Sequence, residues 1–249
     1  MKLLENKVAV ITGAGSGIGK ATAELFAKEG AKVVISDINT EHGNAVVKEI
    51  TDKGGTAFFV AADSSKPEDN EKLVKEAIKK FGTLDIAVNN AGIGGPLGLT
   101  GEYPLDGWKK VIDINLSGVF YGLRYQIPAM LQKGGSIINV ASILGSVGTR
   151  LSPAYVAAKH GVVGLTKGAA LEYADKKIRI NSVGPGYIKT PLVENSLDAN
   201  ALNALVGLHP IGRLGESEEV AEVILWLASP KSSFVTGAYY PIDGGYLAQ

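Results

Sequence analysis

Apolar and polar positions alternate in blocks along the chain, and the blocks predict strands and helices in strict succession. Short apolar runs without polar interruption mark strands buried on both faces. They fall at Val8–Ile11, Lys32–Ser36, Thr56–Ala61, Leu84–Val88, Ser136–Val140, Ile178–Val183 and Gly237–Ile242. Between them lie stretches with helical spacing of apolar residues, at about Ile18–Lys28, Glu41–Lys53, Pro67–Phe81, Leu105–Gln132, Pro153–Ala174 and Glu216–Ala228. Glycines punctuate the junctions: Gly30 ends the first helix and Gly54-Gly55 the second, while Pro67 suits a first helical turn. Alternation of this kind predicts an α/β fold, a doubly wound parallel sheet with helices on both faces. No Pro/Ser-rich linker or shift of composition divides the 249 residues, so one domain spanning 1–249 is expected. Residues 184–214 carry no clear period and read as irregular.

In an open parallel sheet, ligands bind beyond the carboxyl ends of the strands, so the residues after each strand are the informative ones. The first strand runs into Thr12-Gly-Ala-Gly-Ser-Gly-Ile-Gly19 and then a helix. Gly13, Gly15, Gly17 and Gly19, with Ser16 and Ile18 between them, let backbone approach a ligand closely, and the helix start offers free N–H groups to an anion. A pyrophosphate is the expected guest; a turn that only closes a strand–helix corner is the plainer alternative. The spacing departs from G-x-G-x-x-G, because Ser16 stands where the third glycine would be. It is not a P-loop, because Lys20 is followed by Ala21 and Ala14 replaces the first glycine.

Asp37 follows the second strand, 24 residues beyond Gly13. A carboxylate there can accept from the hydroxyls of an adenosine ribose and would repel a 2′-phosphate. Ala14, Ile38 and Asn39 supply no compensating positive charge, so NAD(H) is favoured over NADP(H); a helix-capping or turn Asp is the plain alternative. Asp63-Ser64, after the third strand, can meet an adenine amino group or cap the next helix. Asn89-Asn90-Ala91-Gly92, after the fourth, reads as a turn packed against a ligand or as a plain turn. Ser142 follows the fifth strand, Tyr155 lies thirteen residues on, and Lys159 is at i+4 from the tyrosine. Positions four apart share a helix face. A neighbouring ammonium is expected to lower the tyrosine pKa and so fit it for acid/base work. Ser142 can hydrogen-bond a carbonyl or alkoxide oxygen. A Tyr and a Lys on a solvated helix face remain the plain alternative.

Composition narrows the class. Lys and Arg together equal Asp and Glu, 25 each, and no basic patch stands out, which gives no support to nucleic-acid binding. The absence of cysteine excludes disulfides, thiolate metal sites and Cys nucleophiles, and no metal site is assigned to the catalytic residues. No run is long and apolar enough to span a membrane, and Met1–Lys7 lacks the apolar core of a signal peptide, so a cytoplasmic protein is expected.

Jointly, Thr12–Gly19, Asn89–Gly92, Asn115, Ser142, Tyr155, Lys159 and Pro185-Gly186 resemble the short-chain dehydrogenase/reductase family, in order and across essentially the whole chain. The resemblance implies a seven-stranded Rossmann-type sheet and hydride transfer between NAD(H) and a secondary alcohol or ketone. It implies Tyr155 as general acid/base, Lys159 as its partner and a ligand of the nicotinamide ribose, and Ser142 as the substrate-orienting hydroxyl. Asn115 would hold a water in a proton relay, and Ile188 and Thr190 would contact the nicotinamide amide. Asp63-Ser64 departs from the family pattern, which often has Val after this Asp. The family is usually dimeric or tetrameric, and a homotetramer is expected; the helix from Tyr155 to Ala174 is apolar on more than one face, and Tyr239–Gln249 can pack in a second interface. The C-terminal Gly-Gly-Tyr-Leu-Ala-Gln resembles that of relatives with a structural magnesium ion.

Residues 187–214 are expected to form a lid, with an amphipathic helix over Asp198–Val206 packed on the core as the plain alternative. Tyr187, Leu192, Val193, Leu197, Leu202, Leu205, Val206 and Leu208, with Ser142, Leu144, Val147, Leu151 and Tyr155, would line a pocket for an uncharged ketone of modest size. Two alternatives stand beside this reading. One is a 3-oxoacyl-acyl-carrier-protein reductase, with Lys133, Lys176 and Lys177 as a landing surface for an acidic carrier. The other is a nucleotide-binding module without catalysis, which would not require the Ser-Tyr-Lys-Asn set.

Overall fold

A computed structural model describes residues 2–191 and 204–249. Seven parallel strands form one sheet in the order β3-β2-β1-β4-β5-β6-β7. They are β1 (Val8–Thr12), β2 (Lys32–Asp37), β3 (Thr56–Ala61), β4 (Ile86–Asn89), β5 (Gly135–Val140), β6 (Ile178–Pro185) and β7 (Tyr239–Ile242). The connecting helices are α1 (Gly17–Lys28), α2 (Thr40–Asp52), α3 (Pro67–Phe81), α4 (Leu105–Ile112), α5 (Gly118–Met130), α6 (Pro153–Tyr173) and α7 (Ser217–Ala228). This is the α/β, Rossmann-type, doubly wound arrangement expected from the alternation.

The central strands are buried throughout, which is why they read as unbroken apolar runs: every residue of β1 is inaccessible. Successive β1 side chains feed opposite layers. Ala9 and Ile11 join Phe26 of α1 and Ile224 of α7, whereas Val10 joins Leu73 of α3, Leu123 of α5 and Val162 of α6. Local signals set the helix ends. In α3, Pro67 opens the helix, Glu68 and Asp69 lie in its first turn, Lys79 and Lys80 in its last, and Gly82 stops it at φ 82°.

Chain order reverses between β1, which pairs with β2, and β4, which pairs with β1 on its other side. The crevice beyond that switch point is where this architecture takes a ligand. It brings the glycine turn after β1 beside the Asn90–Gly92 turn after β4.

One element differs from expectation. The single helix predicted over Leu105–Gln132 is broken by a π-turn at Asp113–Ser117. The 3.6-residue apolar period continues across it, so the sequence shows no break. The wider turn is decided by Asn115, fully buried, whose side chain leaves the helix to bond the loop after β4. The irregular reading of 184–214 also needs correction at its start. β6 extends to Pro185, paired with Ile242 of β7, and Tyr239–Ile242 is therefore sheet. Leu192, Val193, Leu197 and Leu202 lie outside the described residues. Among the described residues no helix is long and apolar enough to cross a membrane.

Candidate active site

The glycine turn is shaped for close approach. Gly13 (φ 62°) and Gly17 (φ 51°) hold left-handed backbone that L side chains resist. A Cβ on Gly19 would stand 2.3 Å from the Gly13 carbonyl and 2.6 Å from Asn90 Nδ2. Asn90 explains that crowding: its Nδ2 donates to the carbonyls of Thr12 (2.9 Å) and Gly13 (3.1 Å), and Thr12 Oγ1 accepts from the Asn90 and Ala91 amides. The two turns at the switch point are thus one hydrogen-bonded unit. Ser16 stands at the N-cap of α1 without a side-chain cap bond, which leaves the first helical N–H groups, at Gly17, Ile18 and Gly19, directed at the crevice. Asp37 Oδ2 accepts from the Gly15 amide at 2.9 Å, and Oδ1 accepts from Asn39 at 2.9 Å. The carboxylate is oriented at the edge of the turn and keeps lone pairs for further donors. A dinucleotide fits this cradle of uncapped N–H groups, backbone without side chains, and a carboxylate at the ribose end. Gly19→Ala is expected to lower the melting temperature, at a cost of about 1–3 kcal/mol, and to abolish stabilisation by NADH in a thermal-shift assay.

Asp63 is drawn into a local turn. Its Oδ1 accepts from the amide and hydroxyl of Ser65, and its own amide donates to Asp69. Ser64 offers its carbonyl to Asn70 Nδ2. Pro185 and Gly186 close β6, Ile188 is buried in a bridge to Gly215, and Thr190 lies against the glycine turn, with Cγ2 3.1 Å from where a Gly17 Cβ would be.

The catalytic candidates come together on the β5 side of the crevice. Ser142, extended at the end of β5, accepts from the Leu144 amide at 3.2 Å, so its hydroxyl proton is free for another acceptor. Its carbonyl accepts from Tyr239 of β7 at 2.8 Å, which fixes the serine from behind. Leu144 is buried beneath it. Lys159 is buried on α6, and its Nζ donates to the Val140 carbonyl at 2.8 Å and lies 5.5 Å from the centre of the Tyr155 ring. A Cβ on Gly92 would be 3.3 Å from Asn115 Oδ1 and 3.8 Å from Lys159 Nζ, so Gly92, Asn115 and Lys159 share one wall. Asn115 spends both ends of its amide on the Ile93 backbone, Oδ1 accepting at 2.9 Å and Nδ2 donating at 2.8 Å.

The pKa shift expected for the tyrosine is reversed. Burial pushes the Tyr155 hydroxyl up to about 12, with Ser142 pulling only partly the other way. Burial also pulls the Lys159 ammonium down to about 8. Desolvation dominates for both groups, and the bond to the Val140 carbonyl, which favours the ammonium, does not offset it. Tyr155 retains some solvent contact at the cleft.

Sequence reasoning missed the network behind this wall. Asn89 Nδ2 donates to Gln126 Oε1 and Asn139 Oδ1, Gln126 Nε2 donates back to Asn89 Oδ1, and Asn139 Nδ2 donates to Thr166 Oγ1. All four side chains are buried. They tie β4 and β5 to α5 and α6, and the available signal was a polar residue inside an otherwise apolar strand at Asn139. Among the described residues, no group of three or more His, Cys, Asp or Glu could hold a metal ion. Near the C-terminus Asp243 spends its carboxylate on the amides of Gly245 and Leu247, which adds nothing to the magnesium expectation. Of the remaining pocket candidates, Tyr187 packs edge-on against the buried His209, and Val206 is half-buried.

Residues 13–247 match a family model described as enoyl-(acyl carrier protein) reductase. A crystal structure of a short-chain type dehydrogenase/reductase from Mycobacterium marinum superposes with a TM-score of 0.94 at 37% identity, covering 99% of this chain and 97% of that one. The chain belongs to the short-chain dehydrogenase/reductase family. It is an oxidoreductase, and the fold is that of a nicotinamide-nucleotide enzyme. Among curated relatives, the cyclohexanol dehydrogenase of Acinetobacter sp. strain SE19 is 55% identical over 98% of this chain and 96% of its own. The 3-oxoacyl-acyl-carrier-protein reductase of Thermotoga maritima is 44% identical, over 97% and 98%.

Proposed function

We propose that the protein is an NAD(H)-linked dehydrogenase of uncharged secondary alcohols, with a six-membered carbocycle such as cyclohexanol as the substrate class. The observation that carries this reading is the convergence of Ser142, Tyr155 and Lys159 beside a dinucleotide cradle that ends in Asp37. The 55% identity to a cyclohexanol dehydrogenase supports the substrate class over the acyl-carrier reading, whose named relative is less similar.

The bound nicotinamide nucleotide supplies or accepts the hydride. Tyr155 gives its hydroxyl proton to the carbonyl oxygen in reduction and takes it back in oxidation. Ser142 donates to the same oxygen and holds it against the tyrosine. Lys159, anchored on the Val140 carbonyl, sets a cation beside the tyrosine and would hold the ribose of the nucleotide. Asn115 fixes the Ile93 backbone with one bond at each end of its amide; each end keeps one further site, so it can also hold a relay water. Of the expected lid over residues 187–214, residues 192–203 lie outside the described ones. Phe120 on α5, Leu171 on α6 and Phe234 before β7 are large, apolar and exposed, which supports self-association as a homotetramer.

The test is oxidation of cyclohexanol with NAD and with NADP, beside reduction of an acetoacetyl thioester. NAD-linked cyclohexanol oxidation with weak thioester reduction is expected; NADPH-linked thioester reduction would establish the acyl-carrier reading instead. Asp37→Ser is expected to narrow the preference for NAD over NADP by about tenfold or more, equal to about 1.4 kcal/mol. The carboxylate would otherwise face the 2′-phosphate with like charge.

A further inference from the structure

Among the described residues, three other than glycine hold left-handed backbone: Asn6 (φ 61°), Leu151 (φ 66°) and Lys177 (φ 60°). Asparagine tolerates this region, and Lys177 ends the helical turn after α6, where a left-handed residue is a common stop. Leu151 has neither reason. Its Cβ is crowded by its own backbone, and 43% exposure leaves little burial to offset that strain. The conformation is nevertheless fixed, because Gly98 N donates to the Leu151 carbonyl at 2.9 Å. This bond ties the loop after β4 to the loop after β5 at the carboxyl end of the sheet, four residues ahead of Tyr155. On either side of Gly98, Leu97 and Leu99 are 69% and 61% exposed. An uncompensated strained residue at the mouth of a site points to a role in the site.

We propose that Leu151 determines substrate specificity: the strained turn presents an apolar side chain to the ring of the alcohol held at Ser142 and Tyr155. This rests on the function proposed above. Leu97 and Leu99 complete an apolar rim, and contact with that rim favours a bulky apolar substrate over a small one.

Leu151→Asn and Leu151→Gly both remove the apolar side chain while accepting the left-handed backbone, so both variants should fold with an equal or higher melting temperature. With NAD, kcat/KM for cyclohexanol is expected to fall about tenfold in each, mainly through KM, as befits loss of one partly buried leucine contact. For 2-propanol, too small to reach the rim, it should stay within about twofold. Equal losses on both alcohols, no loss on cyclohexanol, or an altered molecular mass by light scattering would overturn the assignment. The last would mean that Leu151 faces another subunit. Wild-type protein inactive on both alcohols would instead overturn the function proposed above, and the role of Leu151 with it.

Discussion

Tyr155→Phe is expected to lower ketone reduction by about 100- to 10,000-fold, the usual contribution of a positioned proton donor, and to leave NADH affinity nearly unchanged. The substitution removes one oxygen and no packing. The ring rests on a small apolar cluster that includes Ala154, Ala158 and Val111, and phenylalanine keeps those contacts. Burial holds the Tyr155 hydroxyl at about 12, so it is protonated throughout the neutral range. That form is ready to give a proton to a carbonyl oxygen, whereas alcohol oxidation needs the conjugate base. Reduction is therefore expected to be favoured at neutral pH, and oxidation to gain as the pH is raised. Steady-state kinetics in both directions, with NADH binding followed by fluorescence, checks each part. Full turnover by the phenylalanine variant would refute the mechanism.

Lys159→Met should produce a protein that is catalytically dead yet more stable at pH 7. Burial lowers the ammonium from its ordinary 10.5 to about 8. At roughly 1.36 kcal/mol per pH unit, the buried charge destabilises the fold by about 3 kcal/mol. Methionine keeps most of the volume and removes the charge. The Val140 carbonyl loses its lysine donor, which costs about 1 kcal/mol, so a net gain of about 2 kcal/mol is expected, or roughly 4–8 °C in melting temperature. The pH dependence gives the sharper check. Below pH 8 the lysine is protonated in both folded and unfolded chains, and the full penalty applies. Between about 8 and 10.5 the unfolded chain binds the proton and the folded one does not, so wild-type stability rises with pH. The advantage of the methionine variant should therefore be largest below pH 8 and close toward pH 10.5. A variant less stable than wild type at pH 7, with a gap independent of pH, would show that the charge is not desolvated.

Both predictions concern side chains whose identity was legible in the chain and whose electrostatic state was not. Tyr155 and Lys159 are four apart, and the helix makes them neighbours by geometry alone. Which way their pKa values move depends on what packs around them, and a sequence does not carry the burial of a cleft. Lys159 meets Val140, 19 residues away, and Asn115 meets Ile93, 22 residues away. Contacts across such distances leave no local period. The π-turn that admits Asn115 was hidden because the apolar spacing of α4 and α5 continues through it. The buried links from Asn89 to Gln126 and from Asn139 to Thr166 also join distant segments; Asn139 stood out as a polar residue in an apolar strand, but nothing local named its partner.

The sequence by itself determined the order and type of the elements, the parallel sheet, the glycine turn and the place of Asp37 and Ser142 at strand ends. These follow from short-range periods and from residues whose backbone freedom is intrinsic. Only the tertiary structure decided that Asn90 locks the two switch-point turns together, that the lysine bonds a strand carbonyl, and that Leu151 is held in strain by Gly98. Each of these is a contact between segments far apart in the chain, fixed when the sheet packs and water leaves the crevice.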